Sequence, residues 1–314
     1  MKSRVHPKYK TRYRVTNWRE YERGLVQRGD VTVCLSPEAL DAWKAKPSGR
    51  RGAQPKFSDL AIETALTMRL VFHLPLRQAE GFIRSLFKLM GVDLEVPDHT
   101  TLSRRSANLE VSLACRRSDG PNDLIIDSSG LAVVGEGEWA AAKHGGKGRR
   151  GWKKLHLGVD ATGEIVAQIL TNSNVDDGTV GVEIIDNLSD GIQSVIADAA
   201  YDTRPIYDAA QAKGSEVVVP PASNASSSLR RRRSKARNRT VKRVMDIGRR
   251  RWNKESGYHR QGRVENTFFR YKAVIGDRLR ARALSAMETE TAVACNVLNR
   301  MRVLGWPTSE KIDP

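Results

Sequence analysis

Three acidic residues have side chains and positions suited to metal chemistry. Asp127 and Asp198 each end a short apolar run typical of a buried strand, and Glu265 lies in a stretch with helical periodicity. Carboxylates that converge from different elements can hold hard divalent cations through oxygen ligands. Two such cations can stabilise both the attacking and the leaving oxygen of a phosphoryl transfer. The three residues are therefore candidate metal ligands and candidate catalytic residues.

Helical geometry predicts which side chains share a face with Glu265. At ~100° per residue, Lys272 lies within about 20° of Glu265 on a helix. Gln261, four residues before Glu265, falls on the same face, and Tyr258 joins it if the helix extends that far. The predicted site face therefore carries Tyr258, Gln261, Glu265 and Lys272.

Positive charge is concentrated in one window of the chain. The net charge is +17, and residues 230–254 contribute +12 of it through thirteen Lys or Arg and one acid, Asp246. A solvated charged loop is one explanation. We favour contacts with nucleic-acid phosphates, because the window interrupts a folded region just before Glu265. The candidate contacts are Arg230, Arg231, Arg232, Arg233, Arg249, Arg250 and Arg251.

Length and composition predict a cytoplasmic globular protein. The 314 residues, 39% hydrophobic and 28% charged, suit one large domain or two of medium size. No apolar run approaches the ~20 residues of a membrane helix, and no apolar segment follows the basic start as in a secretory signal. The three isolated cysteines indicate reduced thiols rather than disulfides or a zinc site.

Residues 1–57 are predicted to form a basic N-terminal segment and linker, and residues 58–118 a helical DNA-binding domain. Ser58 is the expected N-cap of the first of three short helices. The third carries Arg104 and Arg105, which we expect to contact DNA. Three short helices ending in a basic one resemble a helix-turn-helix reader, although many unrelated helical domains share the pattern.

Residues 119–314 alternate between strands and helices. The order is three strands, helix, strand, helix, strand, helix, which is that of the ribonuclease-H-like α/β fold with a mixed five-stranded sheet. In that fold the first and fourth strands are neighbours, which brings Asp127 and Asp198 together. The expected strands are 124–127, continued by 131–134, then 154–159, 165–170, 195–198 and 216–219, with helices at 179–188 and 205–213.

Four other side chains have less distinctive sequence contexts. His144 and His156, among several lysines and arginines, suit either phosphate donors or polar strand residues. Trp252 suits either base stacking or ordinary packing. Asp202 is predicted to cap the helix that follows it.

At these residues the chain resembles bacterial insertion-sequence transposases of the Asp-Asp-Glu type, closest to the insertion-sequence-five family. The resemblance covers most of the chain through ordered motifs, including residues 96–105, 126–131, 152–157 and 197–202. The family's signature around the glutamate is matched by Tyr258, Glu265 and Lys272. The resemblance implies that Lys272 holds a DNA phosphate near the site, that Tyr258 positions the DNA end, and that residue 261 contacts DNA. Gln261 stands where the family usually has arginine, so we expect Gln261→Arg to raise strand joining.

The resemblance implies a transposase that acts in the cytoplasm, associated with the nucleoid. Such an enzyme binds the inverted-repeat ends of its element as a homodimer on double-stranded DNA. With two Mg²⁺, or Mn²⁺, per active site, it cuts the end and joins the resulting 3′-hydroxyl to target DNA. The alternatives are a catalytically weakened repressor of transposition, suggested by Gln261, and a nuclease of the same fold without strand transfer.

Overall fold

The structure is a computed structural model that describes residues 12–31, 35–47, 49, 51–52, 54–115, 122–135, 151–188, 191–222, 225 and 235–312. Its strands are β1 Arg12–Val15, β2 Asn122–Val133, β3 Trp152–Val159, β4 Ile165–Asn172, β5 Ile192–Ala197, β6 Glu216–Val218, β7 Arg278–Leu279 and β8 Ser309–Ile312. Its helices are α1 Trp18–Gln27, α2 Pro37–Asp41, α3 Asp59–Val71, α4 Leu76–Met90, α5 His99–Ser106, α6 Asp177–Asn187, α7 Arg204–Ala212, α8 Lys235–Ile247, α9 Arg249–Glu255, α10 Gly262–Val274 and α11 Leu284–Leu304.

A mixed sheet with the order β4-β3-β2-β5-β6 forms the centre of the protein. Strand β2 is antiparallel to β3 and parallel to β5, as the predicted ribonuclease-H-like order requires. The fold class is thus confirmed, with two differences in detail. The two expected segments of the first strand form one continuous β2, and the short strand β7 pairs with its far end as a sixth strand.

Both faces of the sheet are covered, which explains the continuous apolar runs in its central strands. Alternate residues of a strand point to opposite faces. Leu124 and Ile126 pack in the cluster that contains α6 and α7, whereas Ile125 packs with α10 and α11. Strand β2 is therefore held between two layers of helices. This packing also fixes the position of Asp127, which follows the buried residues 124–126.

The N-terminal helices form a second hydrophobic cluster, and this cluster begins earlier than predicted. Trp43 is 1% exposed and packs among α3, α4 and α5, with its indole N–H donating to the Glu95 carbonyl at 2.7 Å. Lys44 and Phe57 form an antiparallel bridge that closes the loop between them. The proposed boundary at residue 57 therefore runs through the helical unit, because part of the expected linker belongs to its core.

The helical unit packs against α11, the long helix that covers one face of the sheet. The Thr289 hydroxyl donates to the Leu109 carbonyl at 3.2 Å, and the buried Arg69 lies 3.9 Å from Glu290.

None of the helices in the described ranges is both long enough and apolar enough to cross a membrane.

Helix α1 packs very closely on the end of α11 at Gly24. A Cβ at this position would lie 2.6 Å from the Leu304 carbonyl oxygen and 2.8 Å from the Gly305 Cα. Both are backbone atoms, so no side-chain rotation relieves the clash. We expect Gly24→Val to detach α1, at a cost of about 1–3 kcal/mol, and to expose residues 12–30 to limited proteolysis.

The matched control for Gly24→Val is Gly81→Ala, a helical glycine whose added Cβ meets no heavy atom within 4 Å. It should leave stability unchanged or raise it by up to about 1 kcal/mol. Equal protease resistance of Gly24→Val and wild type would show that α1 does not depend on this close contact.

Candidate active site

The two strand-borne aspartates occupy neighbouring positions in the sheet. Strands β2 and β5 are parallel, and Ile126 of β2 pairs with Ala197 of β5. The residues that follow this pair are Asp127 and Asp198, so the two aspartates are neighbours. Neighbouring strands lie about 4.8 Å apart. Strand β5 ends at Ala197, whereas β2 continues, so both carboxylates stand where the parallel neighbour of β2 stops.

Local hydrogen bonds hold each aspartate in place. The Asp127 Oδ1 accepts the Ser128 backbone N–H at 2.8 Å. The Asp198 side chain caps a 3₁₀ turn over residues 199–201 and accepts the Ala200 N–H at 2.9 Å. Because each contact is with a backbone group, the position of each carboxylate follows from the path of its own strand end.

Glu265 lies on α10, between two hydrogen bonds that join this region of the chain to β2. Just before α10, the Gln261 Nε2 donates to the Ile126 carbonyl at 3.1 Å. In its last turn, the Lys272 Nζ donates to the Ser129 hydroxyl at 2.7 Å. The buried stripe of α10 packs on the sheet through Val264, Phe268 and Tyr271. The exposed Glu265 thus lies between two hydrogen bonds to β2, one to Ile126 and one to Ser129, which stand on either side of Asp127.

The negative charges of these carboxylates repel one another. The pKa of Asp127 is raised to about 6, chiefly by burial, and the negative charges of Asp198, Glu265 and Asp177 contribute to this rise. Burial, followed by the charge of Asp177, also raises the pKa of Asp198. A bound cation would relieve this repulsion.

The donor set fits a hard divalent cation, because all of its members supply carboxylate oxygens. Within the described ranges, however, no three His, Cys, Asp or Glu side chains already stand at metal-ligand spacing. The sheet thus places the two aspartates side by side, and Glu265, carried by α10, is the third candidate ligand.

Gln261 precedes α10, whereas the helical interpretation placed it on the helix. Tyr258, which was to share the face only if the helix extended that far, also lies before α10. Residues 258–261 form a 3₁₀ turn after Gly257, whose φ is 69°. Tyr258 is half-buried, and burial followed by the charges of Asp198, Glu265 and Asp127 raises its pKa to about 12. Its hydroxyl therefore stays protonated near pH 7 and is available as a donor beside the carboxylates.

Gln261 is 3% exposed, so the structure buries a side chain that the family resemblance places at a DNA contact. The physical reason is the turn, which directs the amide at β2 instead of solvent. An arginine would have to place its charge in this buried position. The expected gain from Gln261→Arg is therefore replaced by an expected loss of stability.

Gln261 instead positions the start of α10, which gives a testable expectation. Gln261→Ala leaves the buried Ile126 carbonyl without its partner and should lower stability by about 1–3 kcal/mol. It should also slow strand cleavage, because Glu265 loses one of its two attachments to β2. Gln211→Ala, an exposed glutamine on α7, is the control. Wild-type melting temperature and cleavage rate in Gln261→Ala would contradict this role.

The predicted basic contacts fall into different groups. Arg104 is exposed on α5, whereas Arg105 donates to the Phe57 carbonyl at 3.0 Å and pairs with Asp59. Arg105 therefore has partners within the helical unit, and its contact with DNA remains a prediction. Lys272 is exposed, and its phosphate contact remains a prediction.

Residues 235–254 of the basic window form α8 and α9, while Arg230, Arg231, Arg232 and Arg233 lie outside the described residues. Arg249 donates to the Pro221 carbonyl. Arg250 and Arg251 are exposed and, with Lys254, line a depression of about 280 Å³. Trp252 is 5% exposed, with its ring centroid 6.1 Å from that of Tyr258, so it is a packed tryptophan.

Asp177 is a fourth carboxylate near the site that the sequence did not single out. It is the first residue of α6, and its carboxylate lies 3.1 Å from the Lys154 Nζ and 3.6 Å from the His156 Nδ1. His156 is fully buried, and burial lowers its pKa to about 4, so it is a neutral strand residue. In the sequence the Asp176-Asp177 pair resembles ordinary helix capping, so the position of Asp177 near the aspartate pair could not be predicted. His144 lies outside the described residues.

Two segments of the chain match known families, each described as a transposase DDE domain. One match covers residues 26–136, which include α3, α4, α5 and β2. The other covers residues 118–300, more than half of the chain, and includes Asp127, Asp198 and Glu265. The fold and these two matches thus define a transposase with a DDE domain. The chain belongs to the DDE transposases, a family of metal-dependent enzymes that cut and transfer DNA.

Proposed function

We propose that this transposase binds the inverted-repeat ends of its own insertion sequence, cuts the DNA there, and joins the freed end to target DNA. The observation that carries the proposal is the geometry around β2. Asp127 and Asp198 occupy adjacent positions, and Glu265 lies between two residues, Gln261 and Lys272, that hydrogen-bond to β2 on either side of Asp127. This arrangement supports a site formed by the three carboxylates where β5 ends, in the middle of the sheet.

Asp127, Asp198 and Glu265 are the proposed ligands of two divalent ions, Mg²⁺ or Mn²⁺. When bound, such ions activate the attacking oxygen and stabilise the leaving oxygen of a phosphodiester. Tyr258 would donate its protonated hydroxyl to a phosphate oxygen beside the carboxylates. Lys272 would exchange its hydrogen bond with Ser129 for a contact with a phosphate.

The proposed chemistry has two displacements at phosphorus. In the first, the oxygen of a water bonds to phosphorus at the element's end. The P–O3′ bond breaks, and the leaving oxygen takes a proton to become a 3′-hydroxyl. In the second, this hydroxyl oxygen attacks a target phosphodiester, whose own 3′-oxygen leaves with a proton. Both steps exchange one P–O bond for another and need no covalent link to the protein.

DNA binding is assigned to two surfaces. The exposed cations of α8 and α9 would follow the phosphate backbone of any sequence. Arg104 on the helical unit would contribute to recognition of the element's ends. Because two ends must be processed together, we propose a homodimer on DNA, acting at the nucleoid.

The test uses a labelled duplex that ends in the element's inverted repeat, incubated with the full chain and Mg²⁺. A cut that leaves a 3′-hydroxyl, followed by its covalent joining to a second duplex, is the expected result. Binding without cutting would favour a repressor, and cutting without joining would favour a nuclease. Either outcome would overturn the proposal.

A further inference from the structure

A buried ion pair joins the basic helix α8 to the segment that follows Asp198. The Arg237 Nε lies 2.7 Å from the Asp202 Oδ1, and its Nη2 lies 2.6 Å from Oδ2. The side chains are 10% and 1% exposed, respectively. Asp202 was expected to cap α7, but Thr203 occupies that position. The carboxylate is instead committed to the arginine and to the Ala222 N–H at 3.1 Å.

The segment between Asp198 and Asp202 is a rigid turn, so the position of one aspartate determines that of the other. The Tyr201 N–H donates to the Asp198 carbonyl at 3.1 Å, and the Asp202 N–H donates to the Ala199 carbonyl at 3.2 Å. Tyr201 is 1% exposed and belongs to the hydrophobic core. A displacement at Asp202 would therefore be transmitted to the carboxylate of Asp198.

Helix α8 has two different faces. Arg237 and Val241, four residues apart, are buried on the inner face, whereas Arg239 and Lys242 are exposed. Helix α9 is attached to α8 by Arg243, whose guanidinium donates twice to Glu255 at 2.9 Å. Helix α8 thus has exposed cations on its outer face and binds Asp202 on its inner face through Arg237.

We propose that Arg237 is a positioning residue for Asp198, and that it couples the seating of α8 on DNA to the geometry of the metal site. This inference rests on the proposed function. A bidentate arginine–carboxylate pair has one preferred geometry, and removal of either partner leaves a buried charge uncompensated. Helix α8 and the Asp198 turn are therefore constrained to move together.

The experiment compares Arg237→Gln and Arg237→Lys with wild type. At saturating end DNA and Mg²⁺, Arg237→Gln should cut about tenfold or more slowly, while its DNA Kd stays within about threefold. Arg237→Lys keeps the charge but loses the bidentate geometry, so it should show an intermediate rate. Arg204→Gln, which removes an exposed pair with Asp208 on α7, is the matched control with a wild-type rate.

A second readout separates positioning from simple structural support. The Mn²⁺ concentration that gives half-maximal thermal stabilisation, measured without DNA, should rise in both Arg237 variants because Asp198 is displaced. A purely structural role would lower the melting temperature and leave this concentration unchanged. If Arg237→Gln does not fold, Arg237→Lys alone decides between the two outcomes.

The two proposals fail in different ways. A wild-type protein that binds the end duplex but never cuts it would overturn the proposed function. A wild-type protein that cuts, together with Arg237 variants that cut at the same rate and bind Mn²⁺ equally well, would overturn the positioning role alone.

Discussion

Asp127→Ala, Asp198→Ala and Glu265→Ala should each reduce strand cleavage by about 10³-fold or more, because each removes a proposed ligand of the ions that activate both oxygens. Binding of end DNA should persist, since the basic surfaces remain. The measurement is single-turnover cleavage of a labelled end duplex, beside a gel-shift titration. Asp208→Ala, an exposed carboxylate on α7, is the control.

Stability should change in the opposite direction to activity for Asp127→Ala. The pKa of Asp127 is raised in the folded protein, chiefly by burial, so the ionised form disfavours folding above its folded pKa of about 6. At pH 7 without metal, removal of this charge should leave the melting temperature unchanged or raise it. Near-normal cleavage by any one of the three variants would remove that residue from the metal site.

Neutralising the exposed face of α9 should weaken DNA binding at every sequence. The change is Arg250→Gln, Arg251→Gln and Lys254→Gln, which removes the three cations of one depression. If each contacts one phosphate, the slope of log K against log salt becomes shallower by about 2.7, and affinity at 0.1 M salt falls by roughly 10²-fold or more. Titrations on end and random duplexes across a salt series measure both effects.

The control removes three exposed arginines of β1 and α1, Arg14, Arg19 and Arg23, which changes the net charge equally. Its salt slope should match wild type. Arg104→Gln, by contrast, should weaken binding to the element's ends more than to random DNA. Equal losses from the α9 and control triplets would mean that net charge, rather than this surface, governs binding.

The aspartate pair could be predicted from sequence because its signal is local. Asp127 and Asp198 each follow a run of buried strand residues, and the order of strands and helices makes those two strands neighbours. The length of β2 was harder to predict from the sequence. Ser128 and Ser129 look like a turn, yet they continue β2 because β3 pairs with them on its other side.

The surroundings of Glu265 could not be predicted in the same way, because they depend on turn geometry. A 3₁₀ turn advances about 120° per residue instead of 100°. This difference, together with the turn at Gly257, moves Gln261 from the predicted outer face onto β2. If α-helical periodicity is extended across residues 258–261, it places Gln261 on the wrong face.

Long-range partners were the other missing information. Asp202 has the sequence context of a helix cap, and its actual partner, Arg237, lies 35 residues away in a window that resembles a solvated charge run. Trp43 gives no periodic signal in a basic segment, so its place in the helical core was equally hidden. Single residues acquire such roles only through the packing of distant elements.

The pairing of β1 with β8 has a consequence for the order of folding. The Asn17 side chain donates to the Trp306 carbonyl at 2.9 Å, across a separation of 289 residues. At about 5–20 residues per second, synthesis of that stretch takes roughly 15–60 s. The core of the helical unit lies within residues 31–111 and is complete early, whereas α1 must wait for α11. We therefore expect late docking of α1, so that changes at Gly24 speed unfolding without slowing the formation of the rest.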